Sequence, residues 1–118
     1  MATLPTSVER IEPILCVTDL DRALRYYTEV LGFEAASWRV EGFTSVSLQG
    51  HGIYLAEGVQ GQPGTWVWVG VGDARALHEL YVMRGARIRL PPTSYPWALE
   101  IQVEDPDGNV LRFGSDPE

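Results

Sequence analysis

The residues best suited to hold another molecule are aromatic. Four tryptophans occur in 118 residues, two of them in the run Trp66-Val67-Trp68. Alternation along a strand puts both indoles on one face, where they can stack on a flat ring or cradle a cation. Tyr54, Trp38, Phe43, Tyr95 and Trp97 add further rings. Glu12 and Glu100 add carboxylates that would favour positive charge, and Gln102 and Arg112 add polar contacts. Side chains for covalent chemistry are sparse. Cys16 has no histidine near it in the pattern, and a thiol nucleophile needs an activating base, so it reads as a small apolar filler. His78 falls mid-helix beside Glu79, and His51 in a glycine turn; both read as solvated residues. No Ser-His-Asp set, P-loop or dinucleotide fingerprint is present. No catalytic residue is assigned.

Strands must position these rings. Val67, Val69 and Val71 turn to a helix layer and leave Trp66 and Trp68 on the open face. By the same alternation Tyr54 opposes Ile53 and Leu55, while Phe43, Ser45 and Ser47 oppose Val46 and Leu48. Glu100, Gln102 and Arg112 oppose Leu99, Ile101, Val103, Leu111 and Phe113. Trp97, in the loop Tyr95-Pro96-Trp97, stands at the edge of this face; Trp38 is near it with its side unassigned.

The chain repeats itself. Asp19-Leu20-Asp21-Arg22-Ala23-Leu24 recurs as Asp73-Ala74-Arg75-Ala76-Leu77, each run opening a helix that ends near a glycine, Gly32 or Gly85. Each Asp is an N-cap by type, and each Gly fits the left-handed residue past a helix end. A strand precedes each Asp. Three more strands follow each helix: 34–40, 43–49 and 53–57, then 86–90, 98–103 and 110–113. The turns before the last strands are Gly50-His51-Gly52 and Asp105-Pro106-Asp107-Gly108-Asn109. The expectation is α+β: two βαβββ repeats forming curved mixed sheets around a cleft, with helices on the outer face. It covers one domain, 1–118, with repeats at about 11–57 and 65–114 joined by the Gly/Gln/Pro-rich connector 58–64.

A formal charge of −7 argues against nucleic acid and anionic lipid as partners, since both demand clustered Lys and Arg. An acidic surface instead concentrates cationic small molecules. One cysteine excludes an internal disulfide framework and fits a cytoplasmic setting. No apolar run reaches membrane-spanning length, and 1–8 lacks the basic start and apolar stretch of a secretory signal. The ends, 1–10 and 116–118, are expected to be loose.

The stretches PILCVTDLDRALRYYTEVLGFE (13–34) and YPWALEIQVEDPDGNVLRFG (95–114) resemble the opening and closing segments of the glyoxalase/bleomycin-resistance/dioxygenase (vicinal oxygen chelate) superfamily. The ending Leu111-Arg112-Phe113-Gly114 is similar to its bleomycin-resistance branch, from which Ala98 departs in standing where that branch usually has Gly. The resemblance implies four positions that hold a divalent metal in the enzymes: here Glu12, Tyr54, Trp66 and Arg112. Trp has no lone pair to give, Arg carries its own positive charge, and Tyr ionises near pH 10. So neither a metal nor another cofactor is expected. The branch implies a homodimer, with or without exchange of the first strand, whose aromatic clefts lie between subunits. The reading is sequestration, without catalysis, of a flat, cationic, aromatic DNA-damaging antibiotic of bleomycin or phleomycin type, or an enediyne. The alternatives are a lyase, isomerase or thiol transferase of the same superfamily, or a metabolite-binding module.

Overall fold

The computed structural model describes residues 4–58 and 60–118. The beginning of the expected loose N-terminus, 1–3, lies outside the described residues. Each half is βαβββ. The first comprises β1 (Ile14–Val17), α1 (Leu20–Arg25) continuing into a π-helical turn (Tyr26–Val30), β2 (Glu34–Ala35), β3 (Phe43–Leu48) and β4 (His51–Glu57). The second comprises β5 (Trp66–Gly70), α2 (Ala74–Met83), β6 (Arg87–Ser94), β7 (Leu99–Glu104) and β8 (Val110–Ser115). The sheet orders match: β1-β4-β3-β2 and β5-β8-β7-β6, with the first pair of each parallel and the rest antiparallel.

The helix boundaries follow the capping residues. Asp19 Oδ1 accepts from the Arg22 amide at 3.1 Å, and Asp73 Oδ1 from the Ala76 amide at 3.0 Å. Gly32 and Gly85, at φ 82° and 77°, take the left-handed step that ends each helix.

Four boundaries differ from the sequence reading by two residues or more, the simplest being β8, which runs on to Ser115. The β3–β4 turn is Gln49-Gly50, both at positive φ, so His51 and Gly52 already belong to β4. A two-residue loop of that handedness matches strand twist better than a longer one. β2 stops at Ala35, after which the chain carries Trp38 across to β3, where the Trp38 carbonyl accepts from the Thr44 hydroxyl at 2.8 Å. β6 runs four residues past Leu90, through Pro91-Pro92, with register shifts against β7. An edge strand tolerates prolines because one side needs no amide donors.

Helices and inward sheet faces share one core. Leu15, Val17, Leu20, Tyr27, Val46 and Leu55 from the first half are buried with Tyr81, Ile101, Val103, Leu111 and Phe113 from the second. Tyrosine hydroxyls join the halves across it. Tyr27 donates to Asp105 Oδ2 at 3.0 Å, Tyr81 to the Leu31 carbonyl at 2.8 Å, and Tyr26 to the Glu104 carbonyl at 2.6 Å. Asp105, 1% exposed, also accepts the Asp107 and Asn109 amides, so the whole 105–109 turn is built around its carboxylate. Burial raises its pKa above the ordinary range, against those hydrogen bonds. Because this core takes up the helix side of both sheets, each sheet is left with one open face.

Candidate ligand-binding faces

On the first sheet the open face carries Ile14 and Cys16 from β1, Tyr54 and Ala56 from β4, and Phe43, Ser45 and Ser47 from β3, while Leu15, Val17, Val46, Ile53 and Leu55 are buried behind them. Phe43 and Tyr54 are stacked, 5.2 Å apart and 7° from parallel. Trp38, unassigned from sequence, closes on both, at 5.9 and 6.2 Å. The Glu12 carboxylate lies directly over Gly52, in space that any side chain there would fill, and pairs with Arg10 at 2.9 Å.

The second sheet presents a different surface. Trp66 and Trp68 are each 49% exposed, as expected of the open side of β5. The Trp68 ring lies across β8 on the bare backbone of Gly114, where a Cβ would stand 2.1 Å from the ring. The Arg112 guanidinium is over Trp68, 5.3 Å from its centroid. Arg89, on the opposite edge strand, comes over Trp66 at 5.0 Å. Tyr95 and Trp97 form a separate stacked pair at 4.7 Å in the β6–β7 loop.

Glu100 corrects the electrostatic expectation. It sits on the predicted side of β7 but is 1% exposed. Arg112 grips it through Nε and Nη2, at 2.8 and 2.7 Å, and Gln102 donates to it at 2.8 Å. The Arg112 hydrogen bonds hold its pKa below the ordinary carboxylate value, outweighing burial. Glu100 is therefore no free counter-charge for a cation, and Glu12, paired with Arg10, is hardly more so. Sequence reasoning named every member of this network except Arg89. Arg89 stands two residues from Arg87 on β6, but nothing local to that strand signals a contact with Trp66 on the far edge of the sheet.

The structure brings the expected site residues together in three sets rather than one box. Trp38, Phe43, Tyr54 and Glu12 lie on the first sheet; Trp66, Trp68, Glu100, Gln102 and Arg112 on the second; Tyr95 and Trp97 on the loop. Among the described residues, ring–ring contacts do not cross between the sheets. The four positions that the resemblance equates with metal ligands hold a carboxylate already paired with Arg10, a phenol, an indole and a guanidinium. That donor set does not fit a divalent ion, and among the described residues no group of three His, Cys, Asp or Glu side chains could hold one. No helix among them is long and apolar enough to cross a membrane.

A cavity of about 950 Å³ opens between the halves. It lies under residues 9–13 and is lined by Phe33, Ile53, Val67, Val69, Val71 and Leu77. Arg10, Glu12, His51 and Arg84 line it as well, so its wall is of mixed polarity, and Trp68 and Glu12, from two different sets, both border it.

A family model described as Glyoxalase/Bleomycin resistance protein/Dioxygenase superfamily matches residues 8–113. Among solved structures, TioX from Micromonospora sp. ML1 superposes with a TM-score of 0.81 at 20% identity, over 92% of this chain and 99% of that one. TnmS3, an antibiotic binding protein from Streptomyces sp. CB03234, gives 0.76 at 22% identity over 94% and 98%. A glyoxalase/bleomycin resistance protein/dioxygenase from Nocardioides gives 0.73 at 24% identity over 98% and 88%. Identities this low speak for the fold. No curated protein sequence matches the chain.

Proposed function

The chain belongs to the glyoxalase/bleomycin-resistance/dioxygenase superfamily, and on that premise we propose that it binds and sequesters a flat aromatic, DNA-damaging antibiotic without chemically altering it. The superfamily includes both enzymes and binding proteins. What carries the binding reading is the second sheet's open face, where two half-exposed indoles stand at and beside positions that offer a metal nothing. Exposed aromatic surface of this extent marks a ligand or protein contact. TnmS3, similar in fold, is an antibiotic binding protein, which supports the same reading. Because each chain leaves both ring sets open, the working unit is a two-fold homodimer, with or without exchange of the first strand, that closes a cleft over them. Its place is the cytoplasm, and nucleic acid and membrane are not partners.

The test is a titration of tryptophan fluorescence with bleomycin, phleomycin and a polycyclic aromatic enediyne, on protein whose mass is followed by light scattering. Saturable change with at least one compound, on a particle of twice 13.1 kDa, is expected. Trp66→Ala should weaken that binding by about 1–3 kcal/mol. No response across the panel would defeat sequestration, and a 13.1 kDa particle would defeat the closed cleft.

A further inference from the structure

Resting on the reading of an aromatic-ligand site, we infer that the second sheet's face selects a ring system bearing an anionic oxygen, such as a carboxylate or phenolate, and discriminates against a cationic one. The chemistry follows from which half of each ion pair reaches the surface. Glu100 is buried to 1% exposure while its partner Arg112 remains 36% exposed, so a ligand meets the guanidinium and not the carboxylate. Arg112 uses Nε and Nη2 on Glu100. Among the described residues its Nη1 makes no hydrogen bond, and a planar guanidinium pinned on one edge presents the other in fixed geometry. Arg89 repeats the arrangement in looser form, donating to Glu104 at 2.8 Å while it covers Trp66.

The surface that would attract a cation is already taken. Ring faces draw positive charge through their quadrupole, but here each indole carries a guanidinium of the protein's own, at 5.0 and 5.3 Å. A cationic ligand must displace an arginine from its ring and then sit beside it. An anionic oxygen needs no displacement, because it accepts from Arg112 Nη1 with the guanidinium still over Trp68, while the ligand's rings lie against the part of the indole left exposed. The overall charge of −7 does not reverse this, since net charge acts over a Debye length and a direct charge-assisted hydrogen bond acts at contact.

Three probes on one ring system test it: anthracene-2-carboxylate, anthracene-2-methanol and anthracene-2-methylammonium, each titrated against tryptophan fluorescence. The carboxylate should bind about tenfold more tightly than the alcohol, from one added hydrogen bond between charged groups. The ammonium should bind most weakly, and the carboxylate's advantage should shrink with salt. Arg112→Gln alone would strand Glu100, so the informative variant is Glu100→Gln/Arg112→Gln, which removes both charges together. In that variant, confirmed as folded by circular dichroism, carboxylate and alcohol should bind within about twofold of each other. Equal affinities for all three probes in the native protein, or preference for the ammonium, would overturn the anionic assignment and leave aromatic binding intact. Failure of all three probes to bind would remove the aromatic site on which the assignment rests.

Discussion

Superposing the register of the two sheets pairs their residues one for one. Ile14 lies beside Tyr54 on β1–β4 as Trp68 lies beside Arg112 on β5–β8, and Cys16 beside Ala56 as Gly70 beside Gly114. The scaffold is the same, yet the open faces differ in kind. In the first half a modest Ile14 leaves Tyr54 free to stack on Phe43, and Cβ atoms at Cys16 and Ala56 are accommodated. In the second half one large ring occupies the corresponding place: its six-membered ring lies on Gly114, where no Cβ fits, while a Cβ on Gly70 would stand at ordinary contact distance, 3.8 Å, from Nε1. The lesson is that a repeated fold diverges by coordinated sets. Trp68, Gly114, Arg112 and Glu100 make sense only together, whereas on the first face the stacked rings are neutral and the glycine-dependent group is a separate carboxylate, Glu12, seated on Gly52 and paired with Arg10.

The dependence is broken most severely at the ion pair. Arg112→Ala leaves Glu100 with a buried carboxylate that has lost two of its three hydrogen bonds, which should cost about 3 kcal/mol. Its counterpart Tyr54→Ala removes a half-buried ring that its neighbours can partly cover, so the loss should be about 1–2 kcal/mol. Urea denaturation of both variants measures the contrast. Equal losses would mean that the two faces are held together in the same way and that the pairing of Glu100 is incidental.

Gly114→Ala is the next most sensitive. The added methyl forces Trp68 off the strand, and such overpacking should cost about 1–3 kcal/mol. Because the displaced ring also leaves Arg112, ligand affinity should fall with stability. At the repeat-equivalent position Ala56→Gly should cost only about 1 kcal/mol, the backbone-entropy penalty of a strand glycine, and leave ligand affinity unchanged. Thermal melts with a parallel fluorescence titration give both readings. A Gly114→Ala protein with native affinity would show that Trp68 binds from a position other than the one its glycine cradle provides.

The βαβββ repeat was legible because its signals are local: Asp caps, glycines after helices, and alternation that put Trp66, Trp68, Tyr54, Glu100 and Arg112 on their correct sides. The identity of the four family positions showed that their donors suit no divalent metal. The state of Glu100 was hidden, because alternation gives the side on which a residue lies and says nothing of a partner diagonally across two strands. Trp38 was hidden for a related reason. It sits on no strand, and only the Thr44 hydroxyl and the two rings below it establish its side. Division of the rings into separate sets was invisible as well, since the relative placement of two sheets is set by the shared core and not by either sheet's own pattern.

The smallest effect expected is in acid, where the comparison becomes one of two buried carboxylates. Glu100 on the open face has its pKa lowered, chiefly by Arg112, whereas Asp105 in the turn has its pKa raised by burial. The signs oppose. A lowered folded value means that Glu100 contributes stability above the unfolded carboxylate value, about 4.3, and loses it as pH falls through the lower folded one. A raised folded value means that Asp105 contributes most below its unfolded value, about 3.9, and loses that contribution as pH rises through the higher folded one. On acidification Asp105 should therefore add stability until pH passes its unfolded value, and Glu100 should lose stability once pH falls below its own unfolded value of about 4.3. Glu100→Gln/Arg112→Gln should flatten that acid limb and leave the Asp105 part in place. Urea midpoints taken from pH 6 to 3 on native and doubly substituted protein decide it. Parallel acid limbs in the two would mean that the pairing of Glu100 with Arg112 contributes nothing to the folding equilibrium, and would leave the guanidinium free to leave the carboxylate when a ligand arrives.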